Sequence, residues 1–341
     1  MSTPPGWCLA ASGMATGIGL SAPATCAAIR CGLNRFIETR FSDGAGGWVV
    51  GSPIPWAEDW RNRTWWVETA ACVIDECLQQ VDLPASSLVL VLGVPPAEVC
   101  GREDLTSLLR PEIEARLGAT FHPASTTVPG RSAGISALAA LIAAAPDDCA
   151  GIILCGIDQL VSTDRLDHLQ ERGLLRTSER SDGVIPGDAA AAALFVRSTP
   201  DGGPRLHLLG IGTATEPAPR GSGRPAKAAG LTAAGRAAMN AAGVGKAEID
   251  FWLVDVDGTH AGFREIALAK PRLLNTPRSR FDVWHTADCT GDIGAATVPL
   301  MLGHCATAMG KGYAPGTTAL IHGAGDSDER VGLVVRWTGG A

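Results

Sequence analysis

The sequence has a single tyrosine, Tyr313, and aromatic residues make up only 5% of its 341 positions. Charge is also scarce, with Asp, Glu, Lys and Arg together at 18%. The 28 basic and 35 acidic side chains leave a formal charge of −7. That is the wrong sign for a general nucleic-acid binder. Long apolar runs are missing too: the longest, Ala133 to Ala145, is interrupted by Gly134 and Ser136 and is too short to span a bilayer. No basic segment followed by an apolar one opens the sequence, so no signal peptide and a cytoplasmic location are expected. The ten cysteines include no Cys-x-x-Cys pair, and the nearest neighbours are Cys26/Cys31, Cys72/Cys77 and Cys149/Cys155. Such spacing gives neither a zinc knuckle nor a disulfide framework, and it predicts buried thiols acting as small apolar residues.

What the chain does have is a hydrophobic fraction of 46%, with 42 Gly and 22 Pro. That is enough to bury a sizeable core. Continuous apolar runs recur at Val89–Leu92, Ile152–Cys155, Ala191–Val196, Phe251–Val254 and Thr318–Ile321. Each fits a strand buried on both faces. Cys8–Ser12 opens the chain as a strand and Gly332–Trp337 closes it as one. Helical stretches alternate with these runs: Ala22 to Cys31, ended by Gly32 as a C-cap, and Trp65 to Val81, stopped before Pro84. The class is therefore α/β.

Two helices stand apart. Arg131 to Ala145 and Ile293 to Met309 are apolar and small-residued, and each follows a glycine able to open a tight turn, Gly130 and Gly291. Lacking a polar face, both are expected to be buried all round. The chain reads as two halves built on one plan, divided in the Gly/Pro-rich stretch near Ser198 to Pro204, giving units 1–203 and 204–341.

This organisation resembles the β-ketoacyl synthase branch of the thiolase superfamily, over most of the chain. The likeness is carried by the turn at Gly13 to Leu20, Asp182-Gly-Val-Ile-Pro-Gly-Asp with the alanine run after it, Leu231 to Gly243, Ile249 to Thr259, and Thr290-Gly-Asp-Ile-Gly-Ala-Ala. It implies a five-layered αβαβα fold made of two βαβαβαββ halves. It also implies a chemistry of three side chains: a Cys at the start of the first buried helix, whose thiolate the helix dipole favours, and two histidines that stabilise a developing enolate.

Carried onto this sequence, the nucleophile position falls on Arg131, and the two histidine positions fall on Asp257 and Asp292. The lysine before the second histidine falls on Ala287, and the C-terminal Gly-Phe-Gly-Gly turn reads Gly323-Ala324-Gly325-Asp326. A guanidinium stays protonated and is no nucleophile. A carboxylate accepts hydrogen bonds and cannot stabilise an oxyanion. No catalytic residue is expected, and Arg131 between Asp257 and Asp292 is expected to plug the former pocket as a salt-bridge cluster.

Other candidates are weaker. Ser132 becomes the nucleophile if the alignment slips by one residue, although serine needs an adjacent base. Cys289 with His285 or His260 forms a second fallback. His304 and Cys305 read as core residues rather than metal ligands. Gly187-Asp188 and Gly323 to Gly325 lack the Gly-Lys-Ser/Thr of a phosphate loop. Glu216 to Gly230, with Arg220, Arg224 and Lys227, reads as a mobile surface loop near the pocket mouth. Trp48, Trp56, Trp60, Trp65 and Trp66 crowd one segment and serve an interface if exposed.

The expected function is thus a non-catalytic ketosynthase-like protein that binds or scaffolds a protein partner, as a homodimer or a pseudo-heterodimer with a ketosynthase-like chain. An accessory role in loading type VI secretion spikes or effectors is one alternative. An acyltransferase or hydrolase using Ser132 or Cys289 is another. No cofactor, metal, nucleic acid or membrane is expected; weak binding of an acyl group or coenzyme A stays open.

Overall fold

A computed structural model of the chain describes residues 6–56, 63–100, 105–199, 203, 205–274, 281–324 and 328–339. The apolar runs become central strands: β4 (Leu88–Val94), β6 (Gly151–Gln159), β7 (Asp188–Arg197), β9 (Phe251–Val254), β11 (Thr318–Ala324) and β12 (Glu329–Thr338). Every residue of β4, β6 and β9 is buried, as strands covered on both faces require. With β1 (Trp7–Thr16), β5 (Thr126–Pro129), β8 (Arg205–Thr215) and β10 (Asp282–Trp284), they form one sheet. Its order is β10-β9-β11-β12-β8-β1-β7-β6-β4-β5.

The sheet has a seam at β1–β8, where only Trp7, Cys8 and Leu9 pair with residues 206–208. The two sides of the seam repeat one plan. Strand β4 runs parallel to β5 and β6, while β7 is antiparallel to β6 and β1. Likewise β9 runs parallel to β10 and β11, while β12 is antiparallel to β11 and β8.

Helices α2 (Arg63–Leu78) and α3 (Leu105–Leu117) cover the outside of the first side. Helices α6 (Ala229–Ala242) and α7 (His260–Leu273) cover the outside of the second. Between the sides lie α4 (Ala133–Ala143) and α9 (Thr297–Gly310), which gives five layers, αβαβα. The central core joins Ile135 and Leu138 of α4 and Met301, Leu302 and Cys305 of α9 to the strands on both sides of the seam. Close approach is needed where β6 passes the turn before α9, because a Cβ on Gly156 would overlap the Ala295 carbonyl.

The remaining helices are α1 (Ala22–Arg30), α5 (Thr163–Glu171) and the single turn α8 (Ala287–Thr290). Helix α1 is capped by the Ser21 side chain and ends before Gly32, at φ +64°. A small antiparallel sheet of β2 (Ile37–Ser42) and β3 (Trp48–Gly51) lies apart from the large one.

Several expectations are corrected. Helix α9 is buried almost all round, with eleven of its fourteen residues buried, but α4 is not: Ala140 and Ala143 are exposed. Helix α4 packs over β5, where the sheet ends, so one of its faces has no described element to cover it. It also begins at Ala133, leaving Arg131 and Ser132 in the turn before it. Trp65 and Trp66 are buried edge to face at 5.3 Å, and Trp56 Nε1 donates to Thr69 Oγ1 at 3.1 Å. Trp48 is 55% exposed, and Trp60 lies outside the described residues. Of the stretch Ser198 to Pro204, only Ser198, Thr199 and Gly203 are described. All ten cysteines are free thiols, seven of them buried. Among the described residues, no helix is long and apolar enough to cross a membrane.

Candidate functional site

Three turns deliver the charged side chains. Gly130, at φ +113°, turns the chain from β5 toward α4 and donates its N–H to the Val94 carbonyl at 2.8 Å, placing Arg131. Asp255 follows the end of β9 and is held by its N–H to the His322 carbonyl at 3.0 Å. Gly291, at φ +70°, turns the chain after α8, and the Asp292 N–H then bonds to the Ile185 carbonyl at 2.8 Å.

The arginine fork is shared between two carboxylates. Arg131 Nε donates to Asp255 Oδ2 at 2.8 Å, and Nη2 donates to Asp255 Oδ1. Nη1 donates to Asp292 Oδ1 at 2.5 Å. The side chains are 13%, 1% and 7% exposed for Arg131, Asp255 and Asp292. Backbone dipoles add to the carboxylates: Ala324 N–H points at Asp255 Oδ2 (3.2 Å) and Gly294 N–H at Asp292 Oδ1 (3.1 Å).

The second carboxylate on Arg131 is therefore Asp255, not Asp257. Asp257 lies two residues farther from β9, in the turn before α7, and pairs with Arg220 instead. Arg220 Nη2 donates to Asp257 Oδ2 at 2.6 Å and to Thr259 Oγ1 at 2.7 Å. Desolvation would raise the pKa of Asp257, but the Arg220 charge and the Thr259 hydrogen bonds outweigh it and hold the carboxyl below its usual value. So Arg220, read from the sequence as part of a solvated loop, ties that loop to the site. No sequence signal separates this arginine from Arg224, which donates to the Pro217 carbonyl at 3.1 Å.

A second buried pair lies close by and has no counterpart in the sequence analysis. Arg165 of α5 donates to Asp158 Oδ2 of β6 at 3.1 Å, while Asp158 Oδ1 and Arg165 Nε have no partner among the described residues. Burial pushes the Asp158 carboxyl up, against the pull of Arg165 and then of Arg131.

The fallback nucleophiles find no support. The Ser132 hydroxyl is buried with no hydrogen-bond partner among the described residues, so no base is set against it. Burial, reinforced by Asp288, pushes the Cys289 thiol up to about 12, far from the thiolate that nucleophilic attack needs. His285 faces Asp288 (3.6 Å) and stacks edge-on to Phe263 at 5.7 Å, and His260 lies exposed beside Asp182 (3.5 Å). Neither ring is set against Cys289 as a base. His304 is a core residue whose pKa falls to about 4 through desolvation. Among the described residues, no group of three or more His, Cys, Asp or Glu is placed to hold a metal ion. Gly187 donates to the Asp292 carbonyl in a strand-like bridge, and Gly323 lies within β11; Gly325 and Asp326 fall outside the described residues.

Two clefts open on either side of the Asp257 turn. One, of about 150 Å³, is lined by Arg131, Asp255, Arg220, Arg224 and Arg330. The other, of about 180 Å³, is lined by Asp292, His285, Phe36 and Phe263. Asp257 lines both. The loop over the first cleft is anchored inside by Glu216, whose Oε2 accepts from the Gly230 N–H at 2.7 Å at the start of α6.

The sequence matches no family model and no curated protein. Solved structures do match. The oxazolomycin ketosynthase domain of Streptomyces albus aligns with 98% of this chain and 74% of its own, at 13% identity and a TM-score of 0.80. The ishigamide ketosynthase/chain length factor aligns with 99% of this chain and 100% of its own, at 17% identity and a TM-score of 0.78. A ketosynthase in complex with its chain length factor, from Xenorhabdus doucetiae, aligns with 99% and 100%, at 13% identity and a TM-score of 0.74. The fold is thus that of the ketosynthases, in the thiolase-like class.

Proposed function

We propose that this chain, which has the ketosynthase fold, is a catalytically silent member of that class and acts by binding, as a partner or scaffold subunit. The observation that carries the reading is the Arg131 fork held by Asp255 and Asp292 at the start of α4. The resemblance assigns the attacking thiol to that place. A protonated guanidinium there has no nucleophilic lone pair, and its positive charge is already taken up by carboxylates. Asp257 and Asp292 take the positions of the two histidines; ionised carboxylates offer acceptors where an enolate needs donors.

A protein partner of the same fold fits this reading, either a second copy or a ketosynthase-like chain in a pseudo-heterodimer. Its support is that the solved structures of this fold include a ketosynthase in complex with its chain length factor. We read the chain as two halves, 1–203 and 204–341. The support is that β1 and β4–β7 lie on one side of the short β1–β8 ladder and β8–β12 on the other.

The test is intact-mass spectrometry after incubation with a panel of acyl-coenzyme A and acyl-carrier thioesters, followed by peptide mapping. The expected result is no adduct on any residue. An adduct on Ser132 or Cys289 that disappears in Ser132→Ala or Cys289→Ala would overturn the reading in favour of an acyltransferase or hydrolase with a relocated nucleophile.

A further inference from the structure

The two clefts beside the Asp257 turn have different walls. Among the described residues, the first has no aromatic lining. The second, of about 180 Å³, is lined by Phe36, Phe263 and His285 together with Ile185 and Val256. Phe263, near the start of α7, is 46% exposed and belongs to none of the hydrophobic core clusters. Core packing therefore does not account for this ring. It meets the ring of His285, which directly follows β10, at 5.7 Å and with 82° between the planes. Phe36, directly before β2, is half-buried. The faces of such rings carry the negative end of the π quadrupole.

The carboxylates around these rings add to that field. Asp257, Asp288 and Asp292 all line the second cleft. The guanidiniums paired with Asp257 and Asp292, those of Arg220 and Arg131, line the first cleft instead. Both ion pairs thus cross the wall between the clefts, with the carboxylate toward the aromatic side. The Arg131 group also sets two carboxylates against one guanidinium, so its surplus charge is negative. Asp288 is 61% exposed, and no Lys or Arg pairs with it among the described residues. Against these stands one described guanidinium in the lining, that of Arg176, which is exposed. A concave site with such walls concentrates the negative potential.

We propose that the second cleft binds a small organic cation, a quaternary ammonium head group, with its methyl groups against Phe36, Phe263 and His285 and its charge facing Asp288 and Asp292. Aromatic faces attract such a cation through their quadrupole. Its methylated surface asks for no hydrogen bonds, which the apolar part of the lining does not supply. The volume suits a head group and not a whole cofactor. The site uses neither Ser132 nor Cys289 and does not require the Arg131 position to be silent. It therefore stands or falls separately from the proposed function.

The test is calorimetric titration of the full chain with three probes of nearly the same shape. Choline is the cation; neohexyl alcohol, in which a tert-butyl group replaces the trimethylammonium, is neutral; tert-butylacetate is the anion. Choline is expected to bind roughly 5–30-fold tighter than the alcohol, and the anion more weakly than either. Phe263→Ala is expected to remove most of choline's advantage and Phe263→Trp to keep it. Asp288→Asn is expected to weaken choline and Arg176→Ala to strengthen it, with the alcohol unchanged in both. The same head group occurs in free solutes and on trimethylated lysine, so a short trimethyl-lysine peptide is titrated beside choline, and the tighter of the two identifies the source. No choline binding, equal affinity for choline and the alcohol, tightest binding of the anion, or choline binding unchanged in Phe263→Ala would overturn the proposal; circular dichroism confirms that each variant is folded.

Discussion

Arg131 carries one positive charge and faces two carboxylates, so the group holds one negative charge that the Ala324 and Gly294 N–H dipoles offset only in part. This imbalance ranks the substitutions. Arg131→Met strands two buried carboxylates and is expected to cost roughly 3–5 kcal/mol. Asp292→Asn removes the surplus charge, leaves the two-pronged Arg131–Asp255 pair intact, and is expected to cost about 1 kcal/mol or less. Urea unfolding midpoints check the ranking, and equal losses would contradict it. Two of the three members of this group, Arg131 and Asp292, are legible in the sequence, which offers Asp257 where the structure has Asp255. The error has a physical origin. In an extended Asp-x-Asp both side chains point the same way, and which one reaches Arg131 depends on a displacement of about 6–7 Å along the chain. No residue pattern records that distance.

The surface loop between Glu216 and Ala228 is an element held at few points. Inside, Glu216 caps the start of α6. At its far side, Ala228 adopts a left-handed conformation at φ +51°, the only described non-glycine residue with positive φ. Across the cleft, Arg220 grips Asp257 and Thr259. The folded pKa of Asp257 lies below its ordinary value of 3.8. The stability from this pair is therefore fully present above about pH 4 and lost as pH falls through the folded pKa. Asp257→Asn is expected to be less stable than wild type by roughly 1–3 kcal/mol at neutral pH. The gap should narrow below about pH 4 and should not change between about pH 6 and 8; a gap that widens with acid would contradict the assignment. Elements buried on both faces, such as β4 and β9, were readable as apolar runs. The β2–β3 hairpin was not, because its side chains alternate between a small satellite core and water and its strands are short and bulged.

At the scale of the whole molecule, two neutral histidines are locked in the interior. His322 accepts from Trp252 Nε1 at 2.5 Å, and its Nε2 lies 3.1 Å from the Leu231 carbonyl, to which it donates. Desolvation drops the pKa of His322 to about 3 and that of His304 to about 4. Below pH about 6.5 the unfolded chain takes up protons that the native state refuses, so stability falls with acid. Each histidine contributes about 1.4 kcal/mol per pH unit down to its folded pKa. The unfolding free energy is expected to drop by roughly 2–2.5 kcal/mol between pH 6 and 5, and by about half that in His304→Leu. A pH-independent stability in that window would exclude the neutral assignment. The seam at β1–β8 carries a different consequence, for biosynthesis. Trp7 pairs with Arg197 on one side and with Leu208 on the other, so β1 leaves the ribosome about 190 residues ahead of either neighbour. At about 5–20 residues per second that is a wait on the order of 10–40 s, far longer than the time strands need to find each other. Closure of the sheet on either side of β1 is thus paced by translation, with an unpaired, apolar strand that nascent-chain chaperones are there to cover.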